Sequence, residues 1–263
     1  MSVKVMGSHV HLVDEGSGPT CLFLHGNPDS ADMWKPIIAE LKAKFRCLAP
    51  DLPGFGRSEV PADYDCSLET MASWVNVLLN STGVTDRVTL VCHDFGGPYG
   101  LAWAIKNPDR VERIVVMNTA FHSSYRWHFW GRVWRTPILG ELSQALLSRA
   151  LFVREMRRGS RHLTTEHLNA VYDLITPRMK AMVLKLYRAS DPERIASWEV
   201  PLRALTASVP TLVLWGDRDP FIPAEFADKF GPATVRHFSE YGHFIAAEAP
   251  ALVAREILSF SNA

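Results

Sequence analysis

The run from Val88 to Gly97 reads Val-Thr-Leu-Val-Cys-His-Asp-Phe-Gly-Gly. An apolar strand-like stretch leads into a small residue, then one residue, Asp94, one residue, and glycine. That spacing fits a sharp strand-to-helix turn that exposes one side chain, with Cys92 and Gly96 filling the two crowded places. The exposed group here is a carboxylate. With a reference pKa of about 3.9 it is already ionised at neutral pH. It can attack a saturated carbon directly, displace a leaving group and form an ester. A base is needed only afterwards, to activate the water that hydrolyses the ester. The plainer reading of Asp94 is a helix N-cap.

Three other clusters bear on this chemistry. Tyr241, Gly242, His243 and Phe244 form a turn after the last strand-like run, which makes His243 the candidate base. Val213 to Pro220 closes an apolar run with Gly216, Asp217, Arg218 and Asp219, offering two acids that could partner it. His25, Gly26, Asn27 and Pro28 follow the apolar run Thr20–Leu24. A fourth cluster, the Gly/Pro-rich loop Asp51 to Ser58, reads as a structural turn in which Arg57 makes a salt bridge. No histidine pair has metal-ligand spacing, so neither a metal nor a cofactor is expected.

These groups need a frame, and the chain supplies one. Short β-branched runs alternate with helix-period segments, as in a mostly parallel sheet covered by helices. A hairpin is expected from Val3–Met6 and Val10–Val13. Six further strands follow at Thr20–Leu24, Arg46–Ala49, Val88–Cys92, Arg113–Met117, Thr211–Trp215 and Thr234–Phe238. They are short, continuous apolar runs, as strands buried on both faces should be. Leu68, Met71, Ala72, Val75, Leu78 and Leu79 repeat at helical spacing behind Ser67, a plausible N-cap. Pro98 suits the first turn of the helix after Asp94. Ala251–Phe260 reads as a final helix. From about Phe121 to Leu205 the alternation stops. That stretch is helical in pattern, rich in arginine and tryptophan, and reads as a cap inserted over the strand ends. The expected division is a core of residues 1–120 and 206–263 and a helical cap of residues 121–205.

Composition narrows the class. The 263 residues are 47% hydrophobic, enough for a sizeable core without disulfides. The formal net charge is zero, which argues against broad attraction to nucleic acid or an anionic membrane. Cys21, Cys47 and Cys92 lie in strand-like runs, and the four cysteines show no metal-ligand spacing. A reduced, cytoplasmic protein is expected. The first residues contain no apolar stretch of signal-peptide length, and no run approaches a membrane span.

Taken together, HGNP (25–28), DLPGFGRS (51–58), HDFGG (93–97), WGDRD (215–219) and GHF (242–244) resemble the aspartate-nucleophile branch of the α/β-hydrolase superfamily, chiefly haloalkane dehalogenases and epoxide hydrolases. The resemblance covers nearly the whole chain outside the cap. It implies an α/β-hydrolase fold with an eight-stranded sheet and the order nucleophile, acid, histidine. It favours Asp219 over Asp217, because the pattern G-x-x-D places the acid three residues after Gly216. Asn118, after the strand ending at Met117, suits dehalogenases whose acid follows the later strand, consistent with Asp219. The backbone N–H groups of Asn27 and Phe95 are implied as the oxyanion hole.

Within the branch, the Asn27 side chain matches the dehalogenase halide donor. The tryptophan that usually follows the nucleophile is replaced by Phe95, which has no donor; Trp127, Trp130 or Trp134 are candidate substitutes. Epoxide hydrolases use cap tyrosines to protonate the opening ring, and Tyr125, Tyr172 and Tyr187 are the candidates. Fluoroacetate-type dehalogenases carry arginine after the nucleophile, so Phe95 argues against a small carboxylate substrate. The expected function is hydrolysis through an alkyl ester on Asp94, dehalogenase-like first and epoxide hydrolase second, on a small, largely apolar organic substrate with water. The rival from another class is a non-catalytic binding protein on the same fold.

Overall fold

A computed structural model describes residues 1–262. Eight strands form one sheet: β1 (Ser2–Val5), β2 (Ser8–Glu15), β3 (Thr20–Leu24), β4 (Arg46–Pro50), β5 (Val88–His93), β6 (Val111–Met117), β7 (Thr211–Gly216) and β8 (Thr234–Phe238). Their order is β1-β2-β4-β3-β5-β6-β7-β8. The hairpin β1–β2 and the pair β2–β4 are antiparallel. All other pairs are parallel. Each expected strand is present, with ends shifted by at most two residues. The apolar runs mark the interior: every residue of β3, β5 and β7 is buried.

The helices are α1 (Lys35–Leu41), α2 (Leu68–Ser81), α3 (Gly96–Lys106), α4 (Phe129–Arg135), α5 (Leu139–Ala145), α6 (Arg149–Gly159), α7 (Thr165–Asp173), α8 (Pro177–Ala189), α9 (Ala196–Ser208), α10 (Ile245–Glu248) and α11 (Pro250–Ser261). Ser67 caps α2 as its position suggests, its hydroxyl accepting from the Thr70 N–H at 3.1 Å. One face of the sheet packs on α2 and α3 through side chains such as Trp74, Val75 and Trp103. The other packs on α1 and α11 through Ile37, Ile38 and Ile257. All four cysteines are free and buried.

Between β6 and β7 the chain is helical, with no strand among the described residues. A separate small core under α6 and α7 joins Phe152, Met156, Leu168 and Phe244. Helix α9 runs across residue 205 to Ser208, and its Leu202 and Leu205 belong to the main core. The β5–α3 turn and the loops after β3, β6, β7 and β8 meet at the carboxyl ends of the strands. That is where open parallel sheets present their ligand crevices.

Candidate active site

At the end of β5, Asp94 adopts φ +49°, a left-handed conformation uncommon outside glycine. The turn is held by Thr119, whose hydroxyl donates to the Asp94 carbonyl at 2.6 Å, and by the Gly97 N–H, which donates to the same carbonyl at 2.9 Å. It also requires Gly26: a Cβ there would collide with the Asp94 side chain. Asp94 therefore caps no helix with its side chain. The carboxylate points toward the loop after β3.

There the Asn27 N–H donates to Asp94 Oδ1 at 2.7 Å. The other oxygen, Oδ2, lies 3.4 Å from His243 Nε2. His243 Nδ1 donates to Asp219 Oδ2 at 2.7 Å. Asp219 is fully engaged. Its Oδ1 accepts from the Phe221 and Ile222 N–H groups, and its Oδ2 also accepts from Asn118 Nδ2 at 2.9 Å. Asn118 in turn brackets Gly216, accepting from its N–H and donating to its carbonyl. Asp217, two residues away, lies against His237 instead, at 2.6 Å. Geometry thus separates two acids that spacing alone leaves open.

Charge follows from this arrangement. Burial of the His243 ring opposes its charged form. Asp219, and after it Asp94, outweigh burial and raise the His243 pKa to about 10. Burial would raise the Asp94 pKa. The hydrogen bond and charge of His243, helped by the Phe95 N–H, hold it below the ordinary carboxylate value. His93 sits behind the pair, its Nε2 donating to the His243 carbonyl at 2.8 Å. Burial, then the His243 charge, push its pKa down to about 4, so it is neutral.

The reactive groups open on a cavity of about 160 Å³ lined chiefly by apolar side chains. Asn27, Asp94, Phe95 and His243 form its floor. Tyr125, Trp127, Trp130, Trp134 and Tyr187 come from the helical stretch above. Their donors have different fates. Trp130 Nε1 donates to Glu155 at 3.0 Å. The Trp127 indole stacks over Phe95, centroids 6.2 Å apart, and its N–H is buried without a partner among the described residues. The Tyr125 hydroxyl donates to the Phe221 carbonyl at 3.1 Å. The Tyr187 oxygen accepts from Asn27 Nδ2 at 3.4 Å, which leaves its own proton unused. Tyr172 corrects the expectation. It is not brought to the cavity: its hydroxyl faces the Leu147 carbonyl, and Arg149 stacks on its ring.

One cavity residue carries no signal in the sequence pattern. His128 caps α4, its Nδ1 accepting from the Gly131 N–H at 3.2 Å, which puts its proton on Nε2. Burial lowers its pKa to about 4, so it is a neutral donor. Only an N-cap preference could have singled it out, and histidine is not a strong one. The fourth cluster behaves as read: Arg57 pairs with Asp32 at 2.8 Å, and Asp51 accepts from the Ala31 and Arg57 N–H groups. Among the described residues no cluster of histidine, cysteine and acidic side chains could hold a metal.

The profile of the alpha/beta hydrolase fold family matches residues 19–250, and the chain belongs to that family. It is an enzyme of the branch that includes haloalkane dehalogenases and epoxide hydrolases. Haloalkane dehalogenase 2 of Mycobacterium tuberculosis is 32% identical over 264 residues, 95% of this chain and 90% of its own length. The cis-3-alkyl-4-alkyloxetan-2-one decarboxylase of Shewanella oneidensis is 29% identical, covering 97% of this chain and 85% of its own. The solved epoxide hydrolase CorEH superposes with a TM-score of 0.84 at 21% identity, over 99% of this chain and 97% of that one.

Proposed function

We propose that this chain is a haloalkane dehalogenase-like hydrolase working through an ester on Asp94, with the helical stretch 121–205 as its cap. One observation carries the reading: Asp94 Oδ1 is held by the Asn27 N–H while Oδ2 faces His243 Nε2 at 3.4 Å on the floor of the cavity. In the first step Oδ2 forms a bond to the substrate carbon and the halide leaves with the bonding electrons. The Asn27 amide and the Trp127 indole N–H receive it, the latter in place of the donor that Phe95 lacks. In the second step a water gives its proton to His243 and adds to the Asp94 ester carbonyl. The resulting oxyanion develops at Oδ1, against the Asn27 and Phe95 N–H groups. Collapse releases the alcohol and restores the carboxylate. Asp219 holds His243 in the required tautomer and balances its charge. Four buried, free cysteines suit a reducing cytoplasm.

A second reading is epoxide opening, favoured by the unused Tyr187 proton. Tyr125 weakens it, because its hydrogen already goes to the Phe221 carbonyl. A panel of bromoalkanes, styrene oxide and a cis-3,4-dialkyloxetan-2-one, the substrate class named for the Shewanella relative, separates these. Halide release is expected to dominate. Asn27→Ala should lower it by about one to two decades, the worth of one hydrogen bond to an ion, and lower the other activities less. Equal loss on every substrate, or diol without halide, would contradict the dehalogenase reading.

A further inference from the structure

The zero net charge of the whole chain conceals an uneven split. Residues 121–205 hold 14 of the 28 lysines and arginines but 7 of the 28 acids, a net of +7; the remainder carries −7. Within residues 129–158 there are six arginines and two glutamates. The same segment holds five of the eight large apolar side chains that stand exposed among the described residues: Phe129, Ile138, Leu139, Leu142 and Leu146.

Four of these form one stripe. Ile138, Leu139, Leu142 and Leu146 recur at helical spacing along α5 and its ends, and they are 73%, 53%, 52% and 75% exposed. Ile138 is held at φ +70°, where a β-branched residue is strained. Glycine would suit that backbone and water alike. Isoleucine suits neither, and an apolar cover would remove the cost of its 73% exposure. The opposite face of α5 lines the cavity through Ser143 and Gln144, and Leu147 continues that lining just past its end. One helix therefore separates the exposed stripe from the space above Asp94.

We propose that the outer face of α5 docks on an anionic lipid surface and that apolar substrate passes from that surface into the cavity. The stripe would enter the boundary between headgroups and acyl chains, while Arg132 on the adjoining α4 and Arg157 on α6, both exposed and in no ion pair among the described residues, meet anionic headgroups. A second copy fits the patch less well, because a symmetric contact would bring two strongly basic faces together. The docking is independent of which leaving group the site accepts.

The test is flotation of the whole protein with vesicles of phosphatidylcholine alone and of phosphatidylcholine mixed with phosphatidylglycerol. The wild type should float with the mixed vesicles, remain unbound with neutral ones, and be released by salt. Leu142→Ser with Leu146→Ser should weaken binding by roughly tenfold or more, as two buried apolar side chains are lost. Arg132→Gln with Arg157→Gln should weaken it by about tenfold. Both variants should keep wild-type turnover of a water-soluble substrate, which also reports that they fold. No flotation, equal binding to both vesicles, or variants that float like the wild type would overturn the proposal. So would an oligomer that the leucine changes dissociate while flotation is unaffected.

Discussion

Asp94 has both oxygens assigned before any substrate arrives: one is held by the Asn27 N–H, the other faces an imidazolium. This division has a pH consequence. In the free enzyme two carboxylates hold the His243 pKa at about 10. Once Asp94 is an ester, one of those charges is gone, and the pKa must fall. The histidine then yields its proton and becomes the base that the second step needs. Ester hydrolysis should therefore speed up as pH rises and level off at a pH below about 10. The initial burst of leaving group should stay constant through neutral pH, because the Asp94 pKa is lowered. Stopped-flow measurement of the burst and the following turnover checks both. A burst that vanishes at neutral pH would contradict the charge assignment. Asn118 tests the positioning of the acid. Asn118→Ala leaves the Gly216 N–H unpaired and removes a donor from Asp219, at a cost of about 1–3 kcal/mol in a denaturant titration. It should lower kcat more than it raises KM. An unchanged kcat would mean that Asp219 needs no such brace.

At the level of elements, Gly26 and the β5 turn work as one unit, since the loop after β3 closes directly on the Asp94 side chain. Gly26→Ala would push the carboxylate aside. A displacement of about 1 Å can cost a hundredfold in rate, so turnover should fall by roughly that much, with the melting temperature lowered as the crowded turn gives way. A Gly26→Ala variant with normal kcat would refute the close contact. These elements were readable because buried parallel strands are continuous apolar runs with turn residues at their ends, and β3, β5 and β7 are buried throughout. His243 and Asp94 stood in turns whose residue types allow few alternatives. Asp219 and Asp217 differ only in which backbone N–H groups and which histidine reach them, and residue types alone do not contain that. The helical stretch was legible as helix but not as a surface. Helical spacing does not say which tyrosine turns inward, so Tyr172 and Tyr187 looked alike in the sequence. His128 gave no periodic or motif signal.

For the whole molecule, a sheet that presents its carboxyl ends to a helical roof makes a chamber lined chiefly by apolar side chains, and control of water matters to an ester mechanism. Water must be excluded from the attack yet admitted for the release, under the control of one base. The central claim is that these two steps are separable and share a covalent intermediate on Asp94. His243→Gln removes the base but keeps the Asn27 N–H on Asp94 Oδ1 and puts an amide where the imidazole stood, so the enzyme should attack once, more slowly than the wild type, and stop. The most direct measurement is intact-mass spectrometry of His243→Gln after incubation with a reactive bromoalkane. One alkyl group should be gained per chain, and peptide mapping should place it on Asp94. A variant that stays unmodified by every substrate the wild type consumes, or an adduct on Cys92, would contradict the account.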